Sequence, residues 1–348
     1  MKKERSKRLG VMALPLMLAA FSSTSSGRTF AGNTAPFAKV CDLSAPSKYC
    51  GFAGEVPATA SGFYRNTRAS VRIFYNSGAG IIAESRPIAS LGVLRMLPGG
   101  NDLIYFGPRG VEILKPAPPL NRRLRRSWLV RLARGQIVIA GEHFCRLSAD
   151  GRWAAFAVWS TTANRYSVNL VRISTGRRFS VRTHGMVTGA AFAGANLLAS
   201  TGVESPQLWT FSLPTASNAR HFSVTRRVAA PGKLVGVLGT VPVFEGRMQN
   251  VMFVGNKRVA FRNVTDFGAT CGTAEVLITA ANGRILLWDA NRTQYVVRLP
   301  GANAPYYDGC GTYRGGFWLS LHNGRVLLVS DQGKTQQFTP QFPVAAKR

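Results

Sequence analysis

Three features of this 348-residue sequence predict an all-β fold, a single β-propeller of about seven four-stranded blades. Short β-rich runs separated by glycine turns fill the chain from Ser61 onward, and no helical period of useful length interrupts them. Between Glu142 and Thr183, successive strands lose apolar character from the second to the fourth. Two segments near the C-terminus repeat at an interval of about 40 residues, the signature of stacked supersecondary units.

The chain opens on a basic stretch, Lys2, Lys3, Arg5, Lys7 and Arg8, followed by an apolar run from Leu9 to Phe21 that Pro15 interrupts. Spanning a bilayer takes about 20 apolar residues, so residues 1–31 read as a cleaved secretory signal, with small residues between Ser22 and Ala31 for cleavage. A secreted or periplasmic location is the expectation, with no membrane span after processing. Residues 32–60 are rich in Ala, Pro, Ser and Gly and are expected to be irregular, pinned by a local disulfide.

All five cysteines lie beyond the signal, at Cys41, Cys50, Cys145, Cys271 and Cys310. An oxidising compartment favours bridges, and an odd count leaves one thiol over. The preferred pairs are Cys41 with Cys50, across a short loop, and Cys271 with Cys310, on neighbouring repeats near the axis; other pairings stay open. Cys145 is then free and buried.

Residues 61–342 are the expected propeller, in seven sets: 61–85, 88–133, 136–183, 186–226, 232–264, 268–300 and 306–340. The first set is short and either forms a blade or lends a strand to the last, leaving six. In the third set, Asp150-Gly151 suits a tight two-residue hairpin. Trp153 to Trp159 is apolar on both faces, whereas Phe179 and Val181 alternate with Arg178, Ser180 and Arg182. A blade needs that gradient, because its inner strands are sandwiched between neighbours and its outer strand forms the rim. In the last two sets, Cys271-Gly272-Thr273 recurs as Cys310-Gly311-Thr312, and Asn282-Gly283-Arg284 as Asn323-Gly324-Arg325. Residues 343–348 make a basic tail.

The net charge is +29, from 44 Lys and Arg against 15 Asp and Glu. Removing residues 1–31 takes away six cations and Glu4 and leaves +24, so the basicity belongs to the folded region. Such a field favours anionic partners. Genome base composition explains arginine-rich usage equally well. Two stretches stand out as candidate contacts. Arg122, Arg123, Arg125, Arg126 and Arg131 cluster around a proline-rich loop, and guanidinium forks bind phosphate or carboxylate bidentately. Tyr306, Tyr307, Asp308, Tyr313 and Arg314 lie among mobile glycines and suit a recognition loop on a propeller face.

Ser148-Ala149-Asp150-Gly151-Arg152, followed by the apolar strand from Trp153, resembles the S-x-D-G-[RK] signature of TolB-like propellers. Arg284-Ile285-Leu286-Leu287-Trp288-Asp289 resembles the strand ending in Trp-Asp of WD-repeat blades. Proteins of the TolB type are periplasmic and work through protein contacts at the envelope, so the resemblance implies binding rather than catalysis. The shared motif is structural, and it transfers no functional residue.

No G-x-S-x-G elbow, C-x-x-C pair, H-E-x-x-H pattern or phosphate-binding glycine loop is present. Neither a catalytic residue, a cofactor nor a metal is assigned. The reading is an exported, monomeric, non-catalytic propeller that binds a protein or an anionic polymer or envelope surface. One alternative is a hydrolase or lyase acting on a carbohydrate or lactone in the central channel. A further alternative, extracellular nucleic-acid binding, is disfavoured because no such motif appears.

Overall fold

The computed structural model describes residues 92–97, 102–116, 124–139, 141, 143–214, 222–248, 250–270, 275–280 and 285–299, with strand segments between Phe37 and Ala89 and between Tyr307 and Phe338. Seven antiparallel sheets follow one another along the chain, and each of the last four is a four-strand meander in strict sequence order. First strands of neighbouring sheets lie against each other: Val187–Ala193 against Gly232–Leu238, that strand against Val264–Thr270, and the latter against Tyr307–Tyr313. First strands therefore surround an axis and fourth strands form the rim, which is a β-propeller.

Blade 1 is built from Phe37–Asp42, Cys50–Gly54, Ser70–Asn76 and Ile82–Glu84, with Ile88–Ala89 added to it. Two of its strands fall within the segment 32–60, which composition alone marks as irregular. Among the described residues, no N-terminal strand joins the last blade. Thr59–Ser61 instead pairs with Val93–Met96 of blade 2 and lies against Tyr307–Tyr313 of blade 7, so the two ends of the described chain meet.

Blade 3 follows the expected burial gradient. Trp153–Ser160 is buried over its first six residues, Arg165–Arg172 over its middle, and Arg178–Thr183 only at Phe179. The two faces of Trp153–Ser160 go to different neighbours. Ala154, Phe156 and Val158 pack with Ile104, Phe106 and Val111 of blade 2. Trp153, Ala155 and Ala157 pack with Val187, Leu197 and Trp209 of blade 4. Apolar residues on both faces of one strand thus serve two interfaces, each contributing on the order of 25 cal/mol per Å² of apolar surface buried. Between blades 4 and 5 the approach is closer still. A Cβ on Gly189 would lie 1.9 Å from the Leu234 carbonyl oxygen, so only glycine fits there.

The Asp150 turn differs from the two-residue hairpin its sequence suggests. Gly151 N–H donates to the Ser148 carbonyl at 2.9 Å, and of the turn residues only Gly151 has positive φ, at 67°. Ala149 and Asp150 are therefore the central pair, with glycine following as the left-handed residue of a longer hairpin loop. The Asp150 carboxylate accepts from Ser148 Oγ at 2.6 Å and from the Arg152 N–H at 3.0 Å. Desolvation pushes its pKa up, but these hydrogen bonds and the Arg152 charge outweigh it and hold the carboxyl below its ordinary range. Asp289 plays the same part after Trp288, accepting from the N–H groups of Asn291 and Arg292. Both signature aspartates are turn residues.

Candidate functional site

The expected arginine cluster does not stay together on a loop. Arg125, Arg126 and Arg131 all lie in Leu124–Arg131, the outer strand of blade 2, while Arg122 and Arg123 lie outside the described residues. Arg126 donates from Nε and Nη2 to the two oxygens of Glu112, at 2.6 and 2.8 Å. This bidentate bond to a buried carboxylate holds the Arg126 pKa above its ordinary value and commits its charge within the blade. Arg131 sits over the Trp128 ring, 5.8 Å from its centroid. Arg125 is exposed.

The tyrosine-rich stretch is also strand rather than loop. Tyr307, Asp308 and Tyr313 belong to Tyr307–Tyr313, the innermost strand of blade 7, with a register shift at Asp308. Tyr306 and Arg314 lie outside the described residues. Cys310, on the same strand, is disulfide-bonded, and Cys271 lies outside the described residues. Cys310 opposes Leu319 in the sheet of blade 7. In blade 1, Cys41 and Cys50 are directly opposed in register. Opposed Cα atoms stand about 4.5–5.5 Å apart, within reach of a disulfide. Cys145 is free and buried, and burial pushes its thiol up to about 12.

At the axis, arginine acts as a fastener. The first strand of blade 3 is split into Gln136–Val138 and Arg146–Leu147; His143 and Cys145 from the stretch between them, together with Arg146, meet residues of blades 2, 4 and 5. Arg95 of blade 2, 5% exposed, donates from Nε to the Cys145 carbonyl at 2.6 Å. Arg146 donates from Nε to the Ala190 carbonyl at 3.0 Å and from Nη2 to the Val235 carbonyl at 2.9 Å. Ala190 N–H in turn donates to the His143 carbonyl at 2.6 Å. Four blades are thereby tied together. Desolvation holds His143 well below the ordinary histidine range, with Lys233, Arg146 and Arg95 adding to it, so its ring is neutral at pH 7. Of the carboxylates whose side chains are described, none sits on an innermost strand; Asp266 and Asp308 hold such places by backbone position.

A concave site lies elsewhere. In a meander, connections after even-numbered strands emerge on one face, and that face carries residues 184–186, 202–206 and 247–250. They border a pocket of about 400 Å³ between blades 3, 4 and 5, lined by Phe144, Met186, Val203, Pro206, Lys233 and Arg247 among others. Met186 and Val203 line the pocket while 40% and 67% exposed, and Met248, 66% exposed, follows Arg247. In the wall, Lys233 Nζ lies 3.3 Å from Glu245 Oε2. Sequence reasoning passed over this site. The one legible signal was Val203, a lone large apolar residue in the turn-forming run Gly-Val-Glu-Ser-Pro. Among the described residues no group of three or more His, Cys, Asp or Glu could hold a metal ion. No described helix is long and apolar enough to cross a membrane.

No protein-family model and no curated protein matches this chain. Solved structures similar to it are propellers. A structure of the Dos1 propeller aligns over 76% of this chain and 74% of its own, at 11% identity and a TM-score of 0.48. A structure of U3-55K aligns over 71% and 80%, at 12% identity and 0.49. A prolyl endopeptidase structure aligns over 82% of this chain and 42% of its own, at 17% identity and 0.44. The class of protein defined here is a β-propeller, and the likeness is one of fold.

Proposed function

We propose that this protein is an exported, non-catalytic binding module that receives a segment of a protein partner on the face bordering blades 3 to 5. The supporting observation is the apolar pocket edged by exposed Met186 and Val203. Large apolar side chains placed together around a concavity on a rigid scaffold suit an inserted apolar anchor. The exposed Arg247 beside them and the strongly positive chain favour acidic residues flanking that anchor. Peptides selected from a random displayed library on the whole protein should converge on an apolar residue flanked by Asp or Glu. Val203→Asp should weaken the selected peptides by about tenfold or more, equivalent to about 1.4 kcal/mol. Selection that yields no consensus, or peptides indifferent to Val203→Asp, rules the pocket out.

A further inference from the structure

We infer that the rim of this propeller is a separate binding surface, a track for a flexible acidic polysaccharide. The outer strands of blades 2 to 5 are Leu124–Arg131, Arg178–Thr183, Val224–Ala229 and Lys257–Ala260. They carry nine cations (Arg125, Arg126, Arg131, Arg178, Arg182, Arg226, Arg227, Lys257 and Arg258) and no Asp or Glu. The rest of the described molecule does not compensate them. Of the six carboxylates whose side chains are described, five are in ion pairs: Asp102 with Lys115, Glu112 with Arg126, Asp150 with Arg152, Glu245 with Lys233, and Asp289 with Arg292. Only one of these pairs reaches the outer strands. Arg125, Arg182, Arg226, Lys257 and Arg258 are exposed and form no ion pair among the described residues, so every one of four successive blades presents uncompensated positive charge outward.

Charged residues on exposed edge strands also block unwanted strand pairing, and either sign would do that. An all-positive choice over four blades goes further, because it builds a continuous field of one sign. The shape of the rim then selects among polyanions. A flat anionic membrane touches a convex rim along one or two blades only. Duplex nucleic acid, with a persistence length of about 50 nm, is too stiff to follow it. Single-stranded nucleic acid gains most from aromatic stacking platforms. On these four strands the aromatics are Trp128, which is exposed and lies under Arg131, and Phe179, which is buried. A flexible polyuronate needs no stacking, can bend from blade to blade, and offers carboxylates that guanidinium groups bind as forks.

The test uses the whole protein with polygalacturonate of graded length. By analogy with single-stranded polyanions, releasing four counterions lowers affinity on the order of 50-fold between about 50 and 200 mM salt. Affinity should also rise with chain length until the polymer spans several blades. The triple variant Arg182→Gln, Arg226→Gln, Arg258→Gln should lose most of the affinity and salt dependence while melting as the native protein does, and Val203→Asp should bind polygalacturonate normally. A triple variant that binds as tightly as the native protein overturns the inference. So does affinity independent of polymer length, or tighter binding to anionic vesicles or duplex DNA. Because Val203 lies on a connection that borders the pocket and not on an outer strand, failure of the peptide selection leaves this result unaffected.

Discussion

Arginine at the axis and arginine at the rim do opposite work in this propeller. Arg95 and Arg146 are fixed on backbone carbonyls of neighbouring blades. Arg182, Arg226 and Arg258 stand exposed on outer strands with no ion pair among the described residues. The difference lies in what surrounds the guanidinium. Near the axis, carbonyls left over at the split first strand of blade 3 and at its neighbours need donors, and a fork reaching two blades satisfies both. At the rim, water satisfies the same groups, and the charge is free to act over distance.

This contrast can be broken at its axial end first. Arg146→Met removes two charge-assisted hydrogen bonds, to the Ala190 and Val235 carbonyls, a loss of about 3 kcal/mol in chemical denaturation. Should Arg146→Met melt as the native protein does, the axial network is not a fastener. His143 gives the next largest effect. Its neutral ring is the stable form in the fold, whereas the unfolded chain takes up a proton near pH 6.5. Stability attributable to this residue is therefore complete above about pH 6.5 and is lost between there and the lower folded value. The loss approaches about 1.4 kcal/mol per pH unit. His143→Gln should flatten that part of the profile; an unchanged slope would assign it to other groups. Smallest of all, Arg226→Gln and Arg258→Gln should leave the melting midpoint unmoved, because no described partner is lost.

Much of the blade pattern was legible before any coordinates. From blade 2 onward the sheets follow the expected sets closely, and Trp153 to Trp159 is sandwiched because it is apolar on both faces. The third strands Ile285–Asp289 and Val326–Ser330 match the 41-residue repeat. Blade 1 was harder to see. Its strands at Phe37–Asp42 and Cys50–Gly54 are short, rich in small residues, and carry no two-residue alternation strong enough to announce a sheet. The Asp150 turn was placed correctly but assigned the wrong geometry, since Asp-Gly is compatible with more than one loop length.

The candidate sites were the least legible part. Arg126 reads as a free cation in its run of arginines, and only cross-strand register brings it onto Glu112, 14 residues earlier. The pocket draws its wall from connections in two blades and an insertion in a third, which no local pattern joins. What the sequence determined alone is everything carried by short-range periodicity: strands, turns, the repeating blade pattern and the excess of positive charge. Tertiary structure decided which charges are spent and which remain. The carbonyls bound by Arg146 lie 44 and 89 residues away in the chain, and a guanidinium has no fixed role until folding places such groups beside it.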